Sequence, residues 1–137
     1  MSLEKAYQHY KDKATIYLVY IREAHPVDGW YTGFRAIKDP RTLEERHDVA
    51  GQCLSTLKFT IPCLVDGIDN AVERAYAAWP DRIYVIDPTG KIAYKSGPGP
   101  WGFRPRELEV ALQKLLGEPG GTFVTPEDKP LSRGAGK

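Results

Sequence analysis

His25 follows almost directly on the β-rich run TIYLVYI (residues 15–21), and Glu23 stands two positions before it. A side chain at the end of a buried strand opens toward the crevice where α/β sheets bind ligands. Imidazole suits such a place because it donates or accepts a proton near neutral pH. Alternate residues of an extended chain share a side, so the Glu23 carboxylate could fix the tautomer of the ring. The plain alternatives are a loop-packing histidine and a solvated strand-end charge. Trp30, in Asp28-Gly29-Trp30, offers a flat face to an aromatic ligand, or pins its own loop. Arg82, in Pro80-Asp81-Arg82, could steady an anion, or be a surface arginine in a simple turn.

The thiols are poorer candidates. Cys53 and Cys63 lie ten residues apart, with neither Cys-x-x-Cys nor zinc-type spacing, so no disulfide framework and no metal site are read from them. A reducing, cytoplasmic setting is the default expectation. Cys63 falls inside an apolar strand, where desolvation disfavours the thiolate. Cys53 sits near the C-terminal end of a helix, the unfavourable end of the dipole for an anion. His47 lies on the stripe of that helix and is expected half-buried; His9 is expected on a helix surface.

The elements that must carry these residues alternate. LEKAYQHYKD (3–12) has apolar residues at helical spacing and feeds the strand 15–21. Residues 22–40 lack either period, contain Pro26, Gly29, Gly33 and Pro40, and are long enough to cover a site. Thr42-x-x-Glu45 has capping-box spacing and opens a helix over 41–57, with Leu43, His47, Ala50 and Leu54 on one stripe. A short strand, FTIPCLVD (59–66), and a second capping-box spacing, Asn70-x-x-Glu73, then imply parallel β-α-β packing. RIYVID (82–87) and KIAYKS (91–96) flank Asp87-Pro88-Thr89-Gly90, which predicts an antiparallel hairpin. A helix over 105–116, with Leu108, Ala111, Leu112 and Leu115 inward and Gly117 as C-cap, closes the domain.

Composition narrows the function classes. The hydrophobic fraction of 42% over 137 residues suits one core, giving a domain over 1–117 and a Pro- and Gly-rich flexible tail over 118–137. Nineteen basic residues against eighteen acidic ones give a formal charge of +1, without a basic run, so no nucleic-acid partner is expected. The longest apolar stretch, residues 14–21, is far too short to cross a bilayer, so no membrane association is expected.

Four strings in chain order narrow the reading further: YIREAHPVDGW (20–30), RTLEER (41–46), LVDGIDNAVERAYAAWPDRIYVI (64–86) and YKSGPGPWGF (94–103). They resemble blocks of the iodothyronine deiodinases, and the resemblance covers roughly residues 3–116. It implies an α/β chain with a thioredoxin-like, peroxiredoxin-related three-layer α/β/α fold and a mixed sheet. It also implies reductive removal of iodine from iodothyronines by a selenocysteine, or a cysteine in some relatives, placed after the first strand. That position would lie before Met1, and neither Cys53 nor Cys63 matches it.

By the same resemblance, His25 and Glu23 match catalytic positions for proton transfer or substrate orientation. Pro80 and Arg82 lie where the fold brings a strand beside the nucleophile, a place where a cis proline is common. Trp30, through the flat face read above and not through the resemblance, is the remaining candidate substrate contact. The partners implied are a small aromatic or halogenated substrate and a thiol reductant as co-substrate, with no bound cofactor. Pro40 stands where several members carry a second histidine.

The implied fold lacks its first, central strand here, which would leave two strand pairs facing a gap. Each unpaired buried backbone group costs about 1–3 kcal/mol, against a net stability of about 5–15 kcal/mol. The expectation is therefore that the native product starts upstream of Met1, or that the sheet rearranges or pairs with another chain, as in a homodimer. The chain alone is expected to lack dehalogenase activity. Two other readings stay open: a peroxiredoxin-like thiol reductase, and a non-catalytic thioredoxin-like binding module.

Overall fold

The computed structural model describes residues 2–30, 33 and 36–119. Among these the chain is mixed α/β, in the order α1 (Leu3–Tyr10), β1 (Leu18–Tyr20), α2 (Leu43–Leu57), β2 (Cys63–Val65), α3 (Ala71–Tyr76), β3 (Tyr84–Ile86), β4 (Ile92–Lys95) and α4 (Pro105–Leu116). No helix of the described residues is long and apolar enough to cross a membrane.

The strands form two separate pairs. β1 and β2 run parallel, with Leu18 opposite Cys63, Val19 opposite Leu64 and Tyr20 opposite Val65. Both are shorter than the apolar runs that contain them. Pro62 contributes a carbonyl to the ladder, accepting from the Leu18 N–H at 2.9 Å, but has no N–H of its own to extend it. β3 and β4 form the expected antiparallel hairpin, with a register shift between Val85 and Ile86. Its turn closes through the Gly90 N–H donating to the Asp87 carbonyl at 2.9 Å, and Gly90 has a φ of +85° that glycine adopts freely. Asp87 Oδ1 accepts from the Thr89 hydroxyl and from the Thr89 and Lys91 N–H groups. Those bonds, the hydroxyl's first, hold its carboxyl below the ordinary range.

The main core lies between α1, the hairpin and α4. Ala6, Tyr10, Ile83, Val85, Leu108 and Leu112 are buried together, with Phe103 and Ala111 packed at the margin. Leu115, expected on the inner stripe of α4, is 41% exposed because it falls one turn past the end of that contact. Gly117 takes the left-handed C-cap with a φ of +65°. The expected tail from residue 120 onward lies outside the described residues. Glu118 itself pairs with Lys13 beyond the end of α1.

α2 begins as its sequence predicts: the Thr42 hydroxyl accepts from the Glu45 N–H, and the Glu45 carboxylate accepts from the Thr42 N–H. Its inner face differs from the expected stripe. Arg46 and Ala50 are buried, whereas Leu43 and His47 are exposed. The helix is turned so that a guanidinium, rather than the imidazole, enters the interior. His9 is exposed, as expected. The capping box proposed for Asn70 is absent, because Asn70 takes a left-handed φ of +54° and makes no cap bond with its side chain. Asp66 caps α3 instead, its carboxylate accepting from the N–H groups of Val72 at 3.1 Å and Glu73 at 2.9 Å.

Candidate functional site

β1 and β2 separate at their C-terminal ends, where the Asp66 N–H still donates to the Tyr20 carbonyl at 2.9 Å. One strand delivers Arg22, Glu23 and His25, and the other delivers Asp66 and α3. The branch point is stiffened from behind by Arg46, which is 1% exposed. Its Nη1 donates to the Gly67 carbonyl at 2.7 Å, to Asn70 Oδ1 at 2.9 Å and, more weakly, to the Asp66 carbonyl at 3.3 Å.

His25 is half-buried. Its Nδ1 lies 3.1 Å from the Trp30 carbonyl, and its ring meets the Trp30 indole edge-on with centroids 4.9 Å apart. A carbonyl oxygen only accepts, so Nδ1 carries the hydrogen and Nε2, on the far side of the ring, is left for other chemistry. The partner found on the ring is thus the Trp30 backbone. The Glu23 carboxylate was the partner expected. Glu23 is half-buried, and its N–H donates to Asp39 Oδ1 at 3.3 Å. Trp30 is 71% exposed, leaving most of its indole open beyond the contact with His25.

The long loop after β1 is drawn closed near its ends. The Val27 N–H donates to the Ile37 carbonyl at 2.8 Å, and the Asp39 N–H donates to Asp28 Oδ1 at 2.9 Å. That last bond is the chief reason the Asp28 carboxyl sits below its ordinary range. Positions 31, 32, 34 and 35 of this loop lie outside the described residues. An open cleft of about 610 Å³ lies along this loop, between Asp28, Lys38, Arg41 and the Val49 face of α2. None of the five predicted site residues is among its described lining.

Pro80 follows a cis Trp79–Pro80 peptide bond. The turn that carries His25 reaches this junction: the Arg22 guanidinium lies over the Trp79 ring, 5.3 Å from its centroid, and Arg22 Nε pairs with Glu73 Oε2 at 2.9 Å. Arg82 is half-buried and donates to two backbone carbonyls, through Nε to Ala77 at the end of α3 and through Nη1 to Ser96 at 3.3 Å. It therefore ties α3 to the hairpin. Asp81, beside it, packs against Gly99, and burial raises its carboxyl despite the Gly99 N–H nearby.

Both cysteines are half-buried and free. Burial pushes the Cys63 thiol up. Its Sγ donates to the Leu64 carbonyl at 3.4 Å, which also favours the protonated form.

Sequence reasoning missed Arg22, Glu73, Asp66 and Arg46. A signal for Asp66 was present, since an acidic residue directly after an apolar strand and ahead of a short helix is a ready N-terminal cap. Nothing in residue spacing pairs Arg22 with Glu73, which lie fifty-one positions apart.

The family model described as iodothyronine deiodinase matches residues 2–116. Among curated relatives, a thyroxine 5-deiodinase of Gallus gallus is 37% identical over 118 residues, covering 82% of this chain and 45% of that protein. A type I iodothyronine deiodinase of Xenopus laevis is 33% identical over 111 residues, covering 80% of this chain and 43% of that protein. The chain spans less than half the length of the curated relatives it matches.

Proposed function

This chain belongs to the iodothyronine deiodinase family, and from that premise we propose that it carries the proton-donor and substrate-binding part of a reductive dehalogenase acting on iodinated aromatic rings. In this reading a thiolate or selenolate takes iodine from the ring, forming the S–I or Se–I bond while the C–I bonding pair stays on carbon. His25 takes up a proton from solvent at Nε2 and passes it to this carbon, while Nδ1 keeps its hydrogen on the Trp30 carbonyl. A thiol reductant then displaces iodide, forming a mixed disulfide or selenosulfide, and a second thiol restores the nucleophile with release of the oxidised thiol dimer.

The observation that carries the reading is the setting of His25. Its ring is fixed by the Trp30 carbonyl and indole, and Arg22, three positions earlier in the same turn, reaches over the Trp79 ring beside the cis Trp79–Pro80 bond. Glu23 lies beside this proton path, the open indole of Trp30 is a stacking face for the substrate ring, and Pro80 and Arg82 border the site from the hairpin side.

The nucleophile in this reading is neither Cys63, whose burial disfavours the thiolate, nor Cys53. The fold we assign is thioredoxin-like and three-layered, with a further strand lying between β1 and β3 and carrying the reactive atom. Supporting this, the strands among the described residues form two separate two-stranded pairs. Val19 and Leu64, paired across β1 and β2, are 40% and 51% exposed, and Ile86 of β3 is 49% exposed. Apolar strand residues this open call for a covering element.

Iodide release from an iodinated phenol in the presence of a thiol tests the proposal. The full-length protein should release iodide, lose that activity with His25→Ala, and keep it when Cys53 and Cys63 are both replaced by Ser. Activity lost with Cys63→Ser and retained with His25→Ala would refute it.

A further inference from the structure

We propose that Arg22 receives the carboxylate of an aromatic substrate, with Glu73 as the positioning residue that holds the guanidinium from behind. The inference rests on the site reading above and adds to it the group that orients the substrate.

Glu73 is 7% exposed, and its Oε2 is 2.9 Å from Arg22 Nε, yet it lies off the N–H axis and accepts no hydrogen bond. An ion pair of this kind contributes little to stability, because desolvating the carboxylate offsets much of the attraction. Its effect is to fix where the cation sits. Trp79 adds a second constraint, lying under the guanidinium carbon at 5.3 Å. The Arg22 side chain nevertheless keeps 43% of its surface exposed.

Nε is the guanidinium nitrogen nearest Glu73, and Nη1 and Nη2 make no hydrogen bond among the described residues. Two parallel N–H donors on a planar, pre-oriented cation match a carboxylate in bidentate fashion. Arg22 also directly precedes Glu23 in the segment that leads to His25. A ligand carboxylate held there would be anchored at the edge of the proposed proton donor's turn, between that turn and the Trp79–Pro80 junction.

The test compares binding of an iodinated phenylpropionate with binding of its primary amide, by calorimetry on the whole chain. The carboxylate should bind about tenfold tighter than the amide, the size of one good charge-assisted pair. Arg22→Gln should abolish that preference with the amide unaffected, and Arg22→Lys should keep only part of it. Glu73→Gln should lower carboxylate binding alone, whereas a purely structural role would weaken both ligands together. Because Arg22→Gln leaves a buried carboxylate unpaired, the double variant Arg22→Gln/Glu73→Gln provides a folded control, and it too should show no preference.

Equal binding of both probes by the unsubstituted chain, or a preference that survives either Arg22→Gln variant, would overturn the assignment while leaving the dehalogenase reading intact. Failure of both probes to bind would overturn it together with the aromatic site. A clear carboxylate preference without iodide release by the full-length protein would instead count against the dehalogenase reading alone.

Discussion

Replacing Arg46 with Met should unfasten the turn from which the site is built. Arg46 Nη1 has two hydrogens and three acceptors, so the bonds to the Gly67 carbonyl at 2.7 Å and Asn70 Oδ1 at 2.9 Å are the strong ones and the 3.3 Å contact is shared. A hydrogen bond from a charged donor contributes about 1.5–3 kcal/mol, which makes the gross loss roughly 3–6 kcal/mol. Burial of the cation opposes this. Arg46 Nε is buried with no acceptor, and Met relieves that penalty of about 1–3 kcal/mol while filling similar space. At matched ends of these ranges the net loss is about 2–3 kcal/mol, and with a urea slope of about 1–3 kcal/mol/M the midpoint should fall by roughly 0.7–3 M. Urea unfolding followed by far-ultraviolet circular dichroism measures it, and amide exchange at Val72 and Glu73 should accelerate in step. An unchanged or raised midpoint would refute the reasoning, because it would mean that the polar clamp contributes nothing an apolar side chain cannot.

Three further outcomes follow from the same structure. Gly102→Ala would place a Cβ 2.4 Å from the Gly97 carbonyl carbon, so the 97–102 loop must open; thermal unfolding should show a loss of about 1–3 kcal/mol, as for other overpacked sites. Tyr94 donates to Glu107 Oε2 at 2.7 Å, and burial followed by that bond pushes its phenol up to about 12. Because the folded value exceeds the unfolded value of about 10, this contribution is complete below pH 10 and disappears as pH climbs from 10 to 12; tyrosinate absorbance should show one late-titrating phenol, missing in Tyr94→Phe. Asp87 behaves oppositely. Its folded value is depressed by Thr89 and Lys91, so its contribution is present above about pH 4 and is lost as pH falls below that; carbon-detected NMR titration should place its midpoint below that of an ordinary aspartate.

What the residues disclosed in advance was mainly local. The Thr42 capping box, the Pro88–Gly90 turn, the Gly117 C-cap and the antiparallel hairpin are each determined within a few positions, and each is present. The Glu-Ala-His string and the Gly-Pro-Trp string led to the family, which the comparisons establish. Long-range polar pairing was illegible: Arg46 reads as one more surface charge on an amphipathic helix until Asp66, Gly67 and Asn70 are folded against it. The inner face of α2 was misplaced for the same reason, since a periodicity count scores arginine as outward and histidine as tolerable inside. Asn70 followed by Glu73 has capping-box spacing, but the Asp66 carboxylate occupies the helix N-terminus first. Within the site, proximity of Glu23 to His25 suggested a carboxylate–imidazole pair, whereas the backbone of Trp30 curls back to the ring.

The central claim is that the Glu23–His25 turn, Trp30 and the Trp79–Arg82 junction together hold an iodinated aromatic ring. Site-resolved NMR of the chain titrated with an iodinated phenol tests it most directly. The account predicts saturable changes confined to the His25 imidazole, the Trp30 indole and the Trp79 and Arg82 amides, and their loss in Trp30→Ala. Changes centred on the Lys38–Arg41 cleft, with His25 and Trp30 undisturbed, would contradict it.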